Sequence, residues 1–189
     1  LSEHALHLIH KGDDPVLTYL DDDGVSIEPE FFVPLLPIVL INGADGIGTG
    51  YSSSVPCYSV KDVKANVIRC IDGKQMKTMS PAYNGFTGDI IPNEDGSSFV
   101  TKGKYTIDGS ILTVTELPIG RWTNDYKEFL DKLLDTTISG YENHSTESHV
   151  KFIVKMDSKT LRKLHVSGDI FKEFKLTTTV GTKNMHLFD

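Results

Sequence analysis

Apolar positions recur along this chain with two different periods, and each change of period marks an element. Ser59 and Asp62 form a capping box ahead of Val60, Val63, Val67, Ile68 and Ile71, which repeat at helical spacing until Gly73. Thr123 opens a second amphipathic helix that carries Tyr126, Phe129, Leu130, Leu133 and Leu134 on one face. Shorter helices are expected at the start, where Ser2 caps Leu1, Ala5, Leu8 and Ile9 up to Gly12, and around Leu161 and Leu164. From about Gly85 the period shortens to two. Tyr105 and Ile107, then Asp108-Gly109, then Ile111, Leu112 and Val114 predict a tight hairpin. Val150, Phe152, Val154 and Met156 alternate with Lys151, Ile153 and Lys155, as in a strand with one apolar face, and further strands are expected around Leu176 and Leu187. The uninterrupted run Pro34–Ile41 reads as a buried strand. Strands interrupted by a few helices define an α+β fold, with a mixed or antiparallel sheet and packed amphipathic helices.

Directly after that apolar run comes Asn42-Gly43-Ala44-Asp45-Gly46-Ile47-Gly48-Thr49-Gly50, with four glycines in eight residues and one bulky apolar side chain between two of them. Such a backbone turns tightly and lets another molecule come close. Two nucleotide-binding readings fit poorly. A P-loop requires Lys and Ser/Thr after its last glycine, whereas Gly48 is followed by Thr49 and Gly50. A dinucleotide fingerprint requires a third glycine where Tyr51 stands, and Pro56 soon interrupts any helix. The third reading is an apolar wedge, Ile47, pushed between stacked base pairs while the glycines bring the main chain down to the groove. Against it stands a simpler arrangement, in which Ile47 packs into the core beneath its own loop. Its accessibility separates the two.

The segment Ile38–Gly50 resembles the one that follows the active-site tyrosine in eukaryotic-type DNA topoisomerase II, a type IIA topoisomerase. Val25–Phe32, Thr115-Glu116-Leu117-Pro118, Trp122-Thr123 with Tyr126-Lys127-Glu128, Val150–Met156 and Phe174-Lys175-Leu176 resemble the family in the same order, so the likeness runs from Leu1 to Asp189. It implies that residues 1–56 form the C-terminal part of the winged-helix region with its DNA-bending loop, and residues 57–189 most of the tower domain. Ile47 matches the residue that intercalates and bends the duplex, with Gly46, Gly48 and Thr49 around it. The family's second DNA-contacting segment corresponds to Lys175, Leu176, Thr177, Thr178, Thr179, Val180, Gly181, Thr182, Lys183 and Asn184. Hydroxyls, main-chain amides and two lysines suit phosphate positioning without base reading. The implied activity is that of an ATP-dependent, Mg²⁺-requiring enzyme, homodimeric and nuclear, which cuts both strands of one duplex and passes another through. Its nucleophilic tyrosine would lie shortly before the position matched by Leu1, so no catalytic residue, metal or ATP is expected within these residues. The sequence departs from the family pattern at Tyr51, where tryptophan is usual, and at Gly120, where an arginine is usual and Arg121 instead precedes Trp122. Ser139–Ser148 is shorter than expected and reads as a trimmed surface loop.

Composition changes this picture only in its electrostatics. The formal net charge is −7, which is unfavourable for a DNA-binding chain if spread evenly. It is not spread evenly: residues 1–46 hold nine acids and one lysine, whereas residues 147–189 hold eight bases and five acids. The basic C-terminal third supplies only part of the phosphate neutralisation that drives duplex binding. Cys57 and Cys70 make no zinc pattern, and no apolar run is long enough to span a bilayer. His4, His7 and His10 form a stripe open to a metal or to solvent, and Asp21-Asp22-Asp23-Gly24 lacks the alternating ligands of a calcium loop. A nucleotide-binding enzyme and a non-catalytic interaction module remain the rival classes.

Overall fold

The computed structural model describes residues 7–187. Expected elements at Leu1, Ser2, His4 and Ala5 lie outside that range. Within it, the opening helix is not found: Ile9 makes an isolated bridge to Pro34, and a 3₁₀ turn spans Lys11–Val16. His10 caps that turn by accepting a hydrogen bond from the Gly12 amide through Nδ1. Strands β1 (Tyr19–Asp22) and β2 (Val25–Pro29) form a hairpin whose turn is the triple-aspartate stretch. There the Asp21 carboxylate accepts from the Gly24 amide, so the acidic run serves as a turn.

The apolar run Pro34–Ile41 is not a strand. Its second half and Asn42 form the short helix α1 (Ile38–Asn42), entered from Pro37 and half-buried along its apolar residues. Unbroken apolar runs carry neither period, and Pro34 and Pro37 have no amide to give a ladder. The glycine run then forms β3 (Ala44–Ile47) and β4 (Ser52–Val55), an antiparallel two-stranded ribbon. Helix α2 (Val60–Ile71) follows, capped as expected: Ser59 Oγ accepts from the Asp62 amide and donates to its carboxylate at 2.7 Å.

Two sheets follow. Strands β5 (Asp89–Pro92) and β6 (Ser98–Lys102) belong to the first; β7 (Lys104–Asp108) and β8 (Ile111–Glu116) open the second. The β7–β8 turn is centred on Gly109-Ser110, and Gly109 has φ +59°, the geometry that suits the twist of a two-residue hairpin. Helix α3 (Thr123–Leu133) crosses before β9 (Gly140–Asn143) and β10 (Phe152–Lys155). Thus the stretch read as a trimmed surface loop contains an edge strand, β9; only Tyr141 of it packs inward, too little for alternation to reveal. Helices α4 (Ser158–Ser167) and α5 (Ile170–Glu173) and strand β11 (Thr177–Gly181) close the chain. No strand forms at Leu187.

The sheets run in the orders β7-β8-β10-β9 and β11-β6-β5, with every strand pair antiparallel. The larger sheet carries the core. Leu112 and Val114 of β8 and Phe152 and Val154 of β10 turn one face toward Tyr126 and Leu130 of α3 and Leu161 of α4, all fully buried. Each such side chain contributes about 1.5–3 kcal/mol of burial. The smaller sheet is joined to this core through Leu176, whose carbonyl accepts from the Gly103 amide.

Candidate nucleic-acid interface

The β3–β4 ribbon points its apolar end outward. Val55, at its base, is buried, whereas Ile47, at its tip opposite Ser52, is 93% exposed. A side chain so exposed gives the fold none of the roughly 1.5–3 kcal/mol that burying it would supply. The alternative in which Ile47 rests in the core is therefore excluded by its position. Thr49 and Gly50 form the turn, closed by a hydrogen bond from the Gly48 amide to the Tyr51 carbonyl. Gly46 and Gly48 flank the wedge, and the exposed side chains of Tyr51 and Leu187 share with it an open, mostly apolar concavity of about 390 Å³.

The second expected segment divides by the pleat. Leu176 is fully buried and serves the core. Thr178 turns inward as well: its hydroxyl donates to the Ile119 carbonyl at 2.6 Å and lies 2.8 Å from that of buried Thr101, which also accepts from the Ile119 amide. Thr177 and Thr179 take the other face, with Thr179 exposed, as is Gly181. Lys175 holds its ammonium 4.5 Å from the centre of the Phe129 ring, and Lys183 stands 3.4 Å from the Asp95 carboxylate. Hydrogen bonds from Ser97 hold that carboxyl below its ordinary range, and Lys183 adds to the effect.

Tertiary structure brings the two segments together. Beyond β11, Thr182 is pinned to the Ser97 carbonyl by both its amide and its hydroxyl. Two residues later the chain reaches β4. The Asn184 carbonyl accepts from the Ser54 amide at 2.7 Å, and its side-chain amide donates to Ser52 Oγ at 3.0 Å. Ser53 Oγ donates to the His186 carbonyl at 2.6 Å and accepts from the His186 amide at 3.0 Å. This strap, Thr182–His186, is not legible in the sequence. Its only trace there is the triple serine 52–54, an unusual choice for strand residues.

A second concavity, of about 520 Å³, separates the ribbon from β11 and is lined by Asp45, Ser54, Tyr83, Gly120, Thr179 and Gly181 among others. Burial pushes the Tyr83 phenol up to about 12, with Cys57 and Tyr58 adding to the shift, so it stays neutral. The Glu116-Leu117-Pro118 motif serves the fold. The Glu116 carboxylate receives the amide and hydroxyl of Thr87, while Leu117 enters the core. Arg121 keeps its Nε buried, and Trp122 beside it is exposed. Not all of the C-terminal lysines are offered to solvent as one face; Lys155, for example, pairs with Glu142 at 2.7 Å.

Among the described residues no group of three or more His, Cys, Asp or Glu is arranged to hold a metal, and no helix is long and apolar enough to cross a membrane. Nothing supports a nucleotide site either. The glycine run forms a ribbon, not a strand-to-helix turn, so no helix N-terminus stands ready for phosphates.

A wedge-tipped ribbon strapped to a Thr-rich strand is the arrangement of a DNA-gate protein, and the family model for the A-type subunit of DNA gyrase/topoisomerase IV matches residues 1–189. The chain belongs to that family. Its curated relatives include DNA topoisomerase 2 of Pisum sativum, 40% identical over 96% of this chain, and that of Plasmodium falciparum (isolate K1 / Thailand), 41% identical over all of it. The chain spans only 13% and 14% of those proteins. The crystal structure of the Plasmodium falciparum topoisomerase II DNA-binding, cleavage and re-ligation domain superposes with a TM-score of 0.90 at 41% identity, covering 100% of this chain and 26% of that one.

Proposed function

We propose that this chain grips and bends duplex DNA within a larger type IIA topoisomerase, which cuts both strands, passes a second duplex through and reseals the break. Residues 1–56 would complete the winged-helix side and residues 57–189 most of the tower domain. The observation that carries the reading is the full exposure of Ile47 at a ribbon tip almost free of other side chains. Driving it between base pairs costs about a few kcal/mol of unstacking per step, which contacts along β11 would offset. On that strand Thr177, Thr179 and the main chain around Gly181 would meet phosphates and fix register. Lys183 would exchange Asp95 for phosphate, an exchange made easy because both groups are exposed.

Two glycines support close approach. Gly46 in β3 and Gly181 in β11 both lie outside the left-handed region, and a Cβ on either would meet nothing within 4 Å. Glycine weakens a strand by roughly 0.5–1 kcal/mol relative to alanine, so folding alone does not call for it at either site. A partner's backbone drawn against these two positions does.

Sequence preference would come from the deformability of the bent step and not from base contacts. Mg²⁺ and ATP belong to the complete homodimeric enzyme, working in the nucleus; the metal would support strand cleavage and the nucleotide the passage cycle. The residues of this chain offer a ligand set to neither, and their part is to hold and bend the duplex. The test is Ile47→Ala in the complete enzyme, with end-to-end energy transfer on a doubly labelled duplex. Loss of bending is expected; a variant that bends DNA as the parent does removes the wedge role. Saturable ATP binding by this chain alone would favour the nucleotide reading instead.

A further inference from the structure

We propose that Ser53 and Asn184 are positioning residues that transmit the grip of β11 to the wedge, a role that rests on the DNA-bending reading above. The ribbon cannot hold its own angle. Its β4 strand is Ser52-Ser53-Ser54-Val55, and only Val55 is buried, so no apolar face fixes it to the body of the protein. What fixes it is the strap along the outer edge of β4. One main-chain hydrogen bond, from the Ser54 amide to the Asn184 carbonyl, lies between two links made by side chains. Asn184 reaches Ser52 Oγ, and the Ser53 hydroxyl takes the place of a ladder pair by bonding both the carbonyl and the amide of His186. The hydroxyl of buried Tyr58 reaches Met185 Sδ at 3.9 Å and seats the strap from below.

The other end of the strap is equally anchored. Thr182 is tied twice to Ser97 in the β5–β6 connection, and only Lys183 stands between that anchor and Asn184. So short a link has little slack. A duplex seated on β11 therefore meets Ile47 at one set angle, and prying force on the ribbon is returned to the smaller sheet instead of folding the ribbon back. Asn184, expected from the family likeness to touch DNA, spends its carbonyl and its side-chain amide on the ribbon.

The test uses the complete enzyme with Ser53→Ala, Ser53→Thr, Asn184→Ala and Ile47→Ala. Bending of an intact duplex is read by end-to-end energy transfer, and affinity is read on a centrally nicked duplex that bends freely. Ser53→Ala and Asn184→Ala are expected to lower the bent-to-straight ratio roughly fivefold, the factor that corresponds to one ordinary net hydrogen bond. Ser53→Thr, which keeps the hydroxyl, should restore it, and the nicked duplex should bind all variants as it binds the parent. Parent-like bending by Ser53→Ala, failure of Ser53→Thr to restore bending, or a parallel loss on the nicked duplex each overturns the proposal. If Ile47→Ala itself bends normally, the wedge reading fails; if Ile47→Ala fails to bend while Ser53→Ala bends normally, the positioning role alone fails.

Discussion

The ring of Tyr51 lies across the α-carbon of Gly48, so close that a Cβ at Gly48 would stand 2.6 Å from ring atom Cζ. The two residues also share the hydrogen bond that closes the ribbon turn. The tip thus has its own small packing unit, and Ile47 is displayed beside it.

Gly48→Ala should break that unit. Either the ring swings out or the turn opens, and both change the direction of Ile47. The expected result is weaker bending by the complete enzyme and a loss of turn stability of about 1–3 kcal/mol, the range for overpacking. Energy transfer on labelled duplex and hydrogen exchange at Gly48 and Tyr51 measure the two effects. Unchanged values in both would mean that the ring contact is dispensable.

The strand glycines separate folding from binding. Gly46→Ala, Gly181→Ala and, as a control, Gly140→Ala in β9 add a methyl group that meets nothing. Each should stabilise its strand by about 0.5–1 kcal/mol, seen as a higher melting temperature. Only the first two should weaken duplex binding at a fixed salt concentration. If Gly140→Ala weakens it equally, the two sites are not places of close approach.

Tyr126 is fully buried between Phe129 and Phe152, with ring centroids 5.7 and 5.1 Å away, and its hydroxyl finds no hydrogen-bond partner among the described residues. Burial pushes that phenol strongly up, and Arg121 pulls only slightly the other way. Tyr126→Phe should therefore be neutral or stabilising, because it removes an unpaired polar group. Tyr126→Ala should cost about 3–5 kcal/mol. Denaturant unfolding of both variants checks the pair.

Glu142 has its carboxyl lowered from 4.5 to about 2, first by the hydrogen bond from Lys155 and then by that from His144. A depressed carboxyl contributes stability that is present above its unfolded value and is lost as pH falls through the folded one. The contribution of this exposed pair should thus fade between about pH 4.5 and 2. Lys155→Met should move the Glu142 midpoint, followed by carboxyl NMR, back toward 4.5 and reduce that acid dependence.

Local periodicity exposed α2, α3, α4, β10 and the β7–β8 hairpin, because each carries its own apolar face and its own cap or turn. It failed at Pro34–Ile41, where two prolines and an unbroken apolar run leave helix and strand indistinguishable, and at β9, whose place at a sheet edge asks for only one inward side chain. Of the candidate site, the wedge was legible: an isoleucine among glycines is a local anomaly. The division of Thr177–Thr179 into inward and outward hydroxyls was not, since three identical residues conceal the pleat until pairing with β6 sets the register.

By itself, then, the order of residues determined the helices, the hairpins and the chemistry available at the ribbon tip, all of which depend on neighbours a few positions away. Only the tertiary structure decided that Ile47 is kept out of the core and that the ribbon is tied to β11. The bonds responsible join Ser52 and Ser53 to residues 132 and 133 positions further on. Contacts at that separation leave no periodic mark, because they follow from how the two sheets and the ribbon come to rest against one another.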